Sequence, residues 1–266
     1  MNFLIDSAYA SAGALTGFAV GLTGVGGGAL MTPVLLFYFG VEPTTAIATD
    51  LWFAAVTKVV GVRAHHAAGS IDWQVVRRLW LGSLPVALAV VVAVSLGNNV
   101  VKVGWLNQAI GIVVIVTAAG MLLAPALQVM ARERRLGHPK TFLRYQPLLT
   151  VIAGALLGVC VALTSIGAGA LGSIMLLYLY PLRMQPHRLV ATDILHAIPL
   201  SMVAGAGYLL MGKVDGAMLL SLLCGSLPAV WVGSRLAHRF SGRTLQIVLA
   251  LMLIAVGGKV LFAAFA

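Results

Sequence analysis

Residues 13–39 read GALTGFAVGLTGVGGGALMTPVLLFYF, and residues 154–180 read GALLGVCVALTSIGAGALGSIMLLYLY. Aligned without gaps they match at 13 of 27 positions, including Leu22/Leu163, Thr23/Thr164, Gly26/Gly167, Gly28/Gly169 and Ala29/Ala170. Each stretch is a pair of apolar runs separated by a glycine-rich break. The breaks are Gly24-Val25-Gly26-Gly27-Gly28 and Ser165-Ile166-Gly167-Ala168-Gly169. The offset of 141 becomes 143 downstream, where Ala48-Thr49-Asp50 matches Ala191-Thr192-Asp193. At the same spacing Gly69 and Asp72 match Gly212 and Asp215, and Gly82-Ser83-Leu84-Pro85 matches Gly225-Ser226-Leu227-Pro228. Apolar glycine-rich helices resemble one another by chance, but four separate motifs in shared register do not. The chain reads as a tandem duplication.

Composition says what kind of duplication. Of 266 residues, 61% are hydrophobic and 9% charged, against about 25% charged in a soluble domain. The net charge of +10 lies in short basic clusters between apolar runs, which argues against nucleic-acid binding. An all-α polytopic membrane protein is the class that fits. No run of alternating ten-residue segments suggests a β-barrel. The stretch Met1–Tyr9 lacks a basic n-region, so the first apolar run is read as part of the mature fold. Cys160 and Cys224 lie inside apolar runs and read as packing residues, with no disulfide or metal spacing.

A hydrocarbon core of about 30 Å needs about 20 helical residues. The segments 44–64, 78–97, 105–127, 188–211, 216–237 and 244–265 are long enough. Four shorter pieces, 8–22, 29–40, 148–163 and 170–180, form the two glycine-broken pairs. Each half, 1–127 and 148–266, is then a glycine-broken hairpin (8–40 and 148–180) followed by three spans, with a basic loop at 128–147 between them. The alternative is that each broken pair is one discontinuous span.

Lysine and arginine favour the cytoplasmic side and separate the two models. With hairpins, Arg63/Arg77/Arg78, Arg183/Arg188 and Arg235/Arg239/Arg243 fall on the same side as Arg132, Arg134, Arg135, Lys140 and Arg144, thirteen of the 17 basic residues. Lys102, Lys213 and Lys259 fall opposite, and Lys58 lies within a span. Discontinuous spans split the basic residues ten to six. The hairpin model therefore predicts inverted repeats with both termini periplasmic.

Irregular backbone at membrane depth survives only where protein or water covers it, and two matching breaks in inverted halves point to a transporter's binding site. Glycine permits the unusual backbone, and the helices starting near Ala29 and Ala170 would turn free N–H groups toward an anion. Candidate binding residues are Thr23, Gly24, Gly26, Gly27 and Gly28 in the first break, Thr164, Ser165, Gly167 and Gly169 in the second, and Lys58. A packing role for these glycines stays open. Asp50, Asp193 and His196 are ionisable residues inside spans and are candidates for carrying a coupling proton or cation. The two carboxylates could equally be structural, accepting backbone N–H groups freed at the hairpin tips. Trp73, Trp80 and Trp105 read as interface aromatics, and Trp52 and Trp231 as deeper packing.

The series Gly17-x3-Gly21-x2-Gly24-x-Gly26-Gly27-Gly28, its repeat at 158–169, the paired Ala-Thr-Asp segments and the paired Gly-Ser-Leu-Pro segments together resemble the TauE/SafE (TSUP) family of sulfite and organosulfonate transporters. The resemblance covers essentially the whole chain. It implies a secondary transporter of the bacterial inner membrane for small sulfur-containing anions such as sulfite or sulfoacetate. In the second break Ser165 and Ala168 replace Gly24 and Gly27, so the two tips would contribute unequally.

The partners expected are a small anion, a coupling proton or cation, lipid and, from small-residue faces, a second copy; no cofactor is expected. No G-x4-G-K-[ST] motif suggests a primary pump. The other readings are a passive anion channel and an intramembrane hydrolase using Ser165 with His196 or Asp193.

Overall fold

The structure, a computed structural model, describes residues 6–23, 28–65, 71–96, 103–137, 139–167, 169–184 and 186–236, with scattered positions from 247 to 262. The described elements are all helices: α1 (Ser7–Thr23), α2 (Gly28–Phe37), α3 (Pro43–His65), α4 (Trp73–Leu96), α5 (Val103–Gly137), α6 (Pro139–Thr164), α7 (Ala170–Leu179), α8 (Pro186–Leu210) and α9 (Gly216–Leu236). In the expected last span, 244–265, every described position is helical. Four helical stretches are long and apolar enough to cross a membrane: Trp73–Leu96, Leu143–Thr164, Arg188–Leu210 and Gly216–Leu236. Leucines such as Leu15, Leu81, Leu88, Leu156 and Leu220 are exposed, as lipid-facing side chains should be. The protein is an all-α polytopic membrane protein.

Two boundaries differ from the sequence reading. The stretch 128–147 is no loop: α5 continues to Gly137 and α6 starts at Pro139, leaving only His138 between them outside the described residues. Arg and Lys are good helix formers, and charge alone does not end a helix. The piece 148–163 is not short either, because α6 has 26 residues; only α2 and α7, with 10 each, are about 15 Å long and reach halfway across a bilayer.

Helix ends follow from local chemistry. Asp6 accepts the Ala8 N–H at 2.8 Å ahead of α1. Before α3, Glu42 accepts from the hydroxyls and N–H groups of Thr44 and Thr45, and Pro43 occupies a first-turn place where no N–H is needed. Burial alone would raise the Glu42 carboxyl, but these donors and Lys213 outweigh it and hold it below its usual value. Asp72 and Asp215 cap α4 and α9 through the N–H groups of Val75 and Met218. Gly212, at φ 68, closes α8 in a Schellman turn: its N–H meets the Leu209 carbonyl and that of Lys213 meets the Tyr208 carbonyl.

In each broken pair the outer ends of the two helices lie together. At the mouth of the first, the ring of Tyr9 in α1 stacks on Phe39 just past α2, with centroids 4.5 Å apart. At the mouth of the second, Gln146 of α6 donates to the Leu179 carbonyl at 2.7 Å and Thr150 meets the Tyr180 hydroxyl at 2.7 Å. The first mouth lies with Glu42, Lys213 and Asp215; the second lies with Asp72, Arg78, Arg183 and Arg188. α3 and α8 each run between these two ends, so the mouths face opposite ways.

The halves interlock by exchanging helices. α1 packs along α9, and the equivalent α6 packs along α4. Glycine makes this possible. A Cβ at Gly13 would enter the Leu222 carbonyl, and one at the matching Gly154 the Leu79 carbonyl; Gly17 is closed against Ser226, and Gly158 against Ser83. Gly82 and Gly225 are sealed in the same way by the carbonyls of Val151 and Ala10. Packing is thus an established role for Gly17, and Gly205 and Gly207 likewise meet Trp52 and Val91. Cys224 and Trp231, expected to pack, are exposed, with the Arg235 guanidinium 3.5 Å above the Trp231 ring.

Replacing Gly158 or Gly225 by Leu should lower stability in detergent by about 1–3 kcal/mol or prevent folding, because the clash is with backbone that cannot move aside. Gly216→Ala, at a position open to space, should leave the unfolding midpoint unchanged. Equal behaviour of the three variants in a thermal melt would show that the glycine faces are not the packing constraint.

Candidate functional site

The ionisable residues of the two halves converge between α3 and α8. Asp50, Lys58, Asp193 and His196 are at most 3% exposed. Lys58 is near enough to Asp50, Asp193 and His196 for its charge to be felt at all three. A carboxylate buried without a partner is costly, and one ammonium between two of them offsets part of that cost. The sequence placed Asp50 and Lys58 two turns apart on one helix; it did not show that Asp193, from the other half, joins them.

Each carboxylate also clasps its own hairpin. Asp50 Oδ2 accepts the Thr32 hydroxyl at 2.5 Å and the Thr32 N–H at 3.2 Å, near the start of α2. Asp193 Oδ2 accepts the Ser173 hydroxyl at 3.4 Å near the start of α7, and its Oδ1 presses on Gly172, where a Cβ would collide. Thr32 and Ser173 are matching positions of the duplication, at the offset of 141. The structural role for the aspartates is therefore real. Their remaining oxygens, Asp50 Oδ1 and Asp193 Oδ1, make no hydrogen bond among the described residues.

The second tip adds polar groups. Ser165, in left-handed backbone at φ 57, has a buried hydroxyl that makes no hydrogen bond among the described residues. Gly167 at φ 121 and Gly169 at φ 128 take backbone that disfavours side chains, and Gly169 precedes α7. Thr164 behaves differently from the other candidates. Its hydroxyl donates to the Cys160 carbonyl at 2.6 Å and accepts the Ile166 N–H at 3.1 Å, which closes α6. Of the first tip, Thr23 ends α1 and Gly28 begins α2, while Gly24, Gly26 and Gly27 lie outside the described residues.

His196 is held from the opposite half. Ser83 Oγ lies 3.0 Å from its Nε2, and Trp80 donates to its carbonyl at 3.2 Å. Nδ1 has no hydrogen bond among the described residues. Ser83, not Ser165, is thus the hydroxyl at His196. His196 and Lys58 break the symmetry: their matching positions are Phe53 and Ser201.

Thr32, Ser173 and Ser83 were not singled out by sequence. The signal was present, because each lies in the repeat register: Thr32 and Ser173 match as hydroxyls, and Ser83 matches Ser226. No group of metal-ligating side chains occurs among the described residues.

A family described as sulfite exporter TauE/SafE matches residues 9–260. A probable membrane transporter protein of Bacillus subtilis, YjnA, is 36% identical over 251 residues, covering 94% of this chain and 97% of the relative. A second from the same organism, YdhB, is 25% identical over 84% of this chain and 87% of its own length. A probable membrane transporter protein of Xylella fastidiosa is 27% identical over 96% of this chain and 94% of its own length. No solved structure matches.

Lys58→Ala should leave two buried carboxylates without their cation and cost about 3–5 kcal/mol of stability. Adding Asp193→Asn to that variant removes one of the charges and should recover much of the loss. Unfolding in detergent of the single and double variants measures this; a double variant no more stable than Lys58→Ala would disprove the pairing.

Proposed function

The chain belongs to the sulfite exporter TauE/SafE family of membrane transporters, and on that basis we propose that it is an ion-coupled secondary transporter of small sulfur-containing anions such as sulfoacetate or sulfite. The observation that carries the reading is the joint burial of Lys58 with Asp50 of one half and Asp193 of the other. Lys58 attracts the anion. The Ser165 hydroxyl, the Gly167–Gly169 backbone and the first tip, Thr23 to Gly28, replace its hydration shell.

A bare anion entering beside two ionised carboxylates would be repelled. Protons or a cation at Asp50 and Asp193 remove that repulsion, which couples the anion's movement to an ion gradient. His196, with its ring set by Ser83, supplies a further proton position. The oxygens and nitrogen left without hydrogen bonds, Asp50 Oδ1, Asp193 Oδ1 and His196 Nδ1, are suited to this because none is spent on the fold.

The two halves are inverted repeats, and rocking of one against the other exposes the site alternately. Opposite hairpin mouths support this. The basic Arg78, Arg183 and Arg188 share the end of the second mouth, which the positive-inside rule assigns to the cytoplasm of a bacterial inner membrane, with both termini periplasmic.

The test is uptake by proteoliposomes of labelled sulfoacetate and sulfite under an imposed pH or cation gradient. The parent protein should accumulate at least one of them. Asp50→Asn and Asp193→Asn keep the hydrogen-bond acceptor for Thr32 and Ser173, so they should still exchange substrate but not accumulate it. Lys58→Ala should bind none, and Ser165→Ala should retain reduced transport. Gradient-driven accumulation by both Asn variants at parental levels would end the coupling role, and absence of any binding or flux would end the substrate class.

A further inference from the structure

Each Ala-Thr-Asp motif reaches in two directions. Asp50 and Asp193 hold the hairpins of their own halves. The threonines beside them, both fully buried, reach the other half: Thr49 Oγ1 accepts the Asp215 N–H at 3.3 Å, and Thr192 Oγ1 accepts the Asp72 N–H at 3.1 Å. Neighbouring residues on a helix point about 100° apart, so one turn joins a hairpin on one side to the cap of the opposing long helix on the other. The arrangement occurs twice, at matching positions and at opposite ends of the bundle.

The two ends are fastened unequally. Asp72 is 2% exposed and receives Arg183 through Nε at 2.5 Å and through a second nitrogen at 2.8 Å, with Arg188 at 3.2 Å. One of these contacts is a charge-assisted hydrogen bond, from Arg183 to Asp72 Oδ1, and two guanidinium groups face one buried carboxylate. It joins α4 of the first half to the α7–α8 segment of the second. At the other end Asp215 is exposed, and the ion pair across the halves is Lys213–Glu42 at 3.8 Å, both side chains more than 40% exposed. An exposed pair at that distance contributes little.

We propose that Thr192 and Thr49 are positioning residues that link the carboxylate of each hairpin to closure of one end of the bundle. Thr192 works with the Asp72–Arg183–Arg188 clasp to shut the end where the second hairpin opens. Thr49 holds the Asp215 end, which is the weaker and parts first. The proposal rests on the alternating-access reading above and adds which residues connect site to gate.

A reporter cysteine reads this without any substrate. In a chain carrying C160A and C224A, S165C places a thiol at the second tip. A charged, membrane-impermeant methanethiosulfonate is added to one face at a time, using vesicles of both orientations. Thr192→Val keeps the shape and removes the acceptor. It should raise labelling from the Asp72 side about fivefold, the population shift that one net hydrogen bond supports, and not from the other side. Thr49→Val should do the reverse, and Thr192→Ser should return the parental pattern. Arg183→Gln, at a partly exposed position, should act in the same direction as Thr192→Val and keeps the test available if the buried variant does not fold.

Labelling that rises from both sides with either variant means general loosening and overturns the proposal, as does no change with any of them. A protein that moves no anion but shows the opposite sidedness would sink the substrate class while leaving the linkage standing.

Discussion

Two carboxylates and one ammonium, buried where water cannot solvate them, are the constraint around which this protein is arranged. Asp50 and Lys58 share α3, and Asp193 comes from α8 of the other half. A charge at membrane depth costs several kcal/mol unless it is paired or meets polar groups. The two halves dock so that all three groups are buried together and so that each carboxylate also receives a hydroxyl from its own hairpin. Neither half alone satisfies these groups, so the site and the contact between halves are one feature.

Such docking demands close approach of helices, and glycine supplies it. In lipid no hydrophobic effect draws apolar helices together, so small residues and direct packing decide association. The exchanged pairs, α1 on α9 and α6 on α4, meet through Gly13, Gly17, Gly154, Gly158, Gly82 and Gly225. Glycines at the second tip do something else: Gly167 and Gly169 adopt positive φ and let the chain turn between a long helix and a half-length one. One residue type thus serves the scaffold along the helices and the site at the tip.

Symmetry is complete in the scaffold and broken in the chemistry. Thr32 and Ser173, Asp50 and Asp193, Thr49 and Thr192, Asp72 and Asp215 match in both sequence and contact. Lys58 and His196 have no counterpart, since Ser201 and Phe53 stand in their places. The ends differ too, with a buried carboxylate held by two arginines on one and an exposed pair on the other. A duplicated framework with unequal charges is suited to a cycle whose two end states differ in energy.

The sequence by itself determined the membrane class and the list of ionisable residues in apolar segments, because composition and the placing of charges along the chain are one-dimensional properties. It misjudged 128–147, where charge was taken for loop although Arg and Lys sustain the α5 and α6 helices. It named Thr164 for the site, although a hydroxyl at a helix end is readily taken by local backbone, here the Cys160 carbonyl. Only the tertiary structure decided which half each group serves: Ser83 holding His196, and Thr49 and Thr192 reaching across. These contacts join residues about 110 to 170 positions apart on helices whose rotation is set by packing, and periodicity within one segment carries no record of what another segment turns toward it.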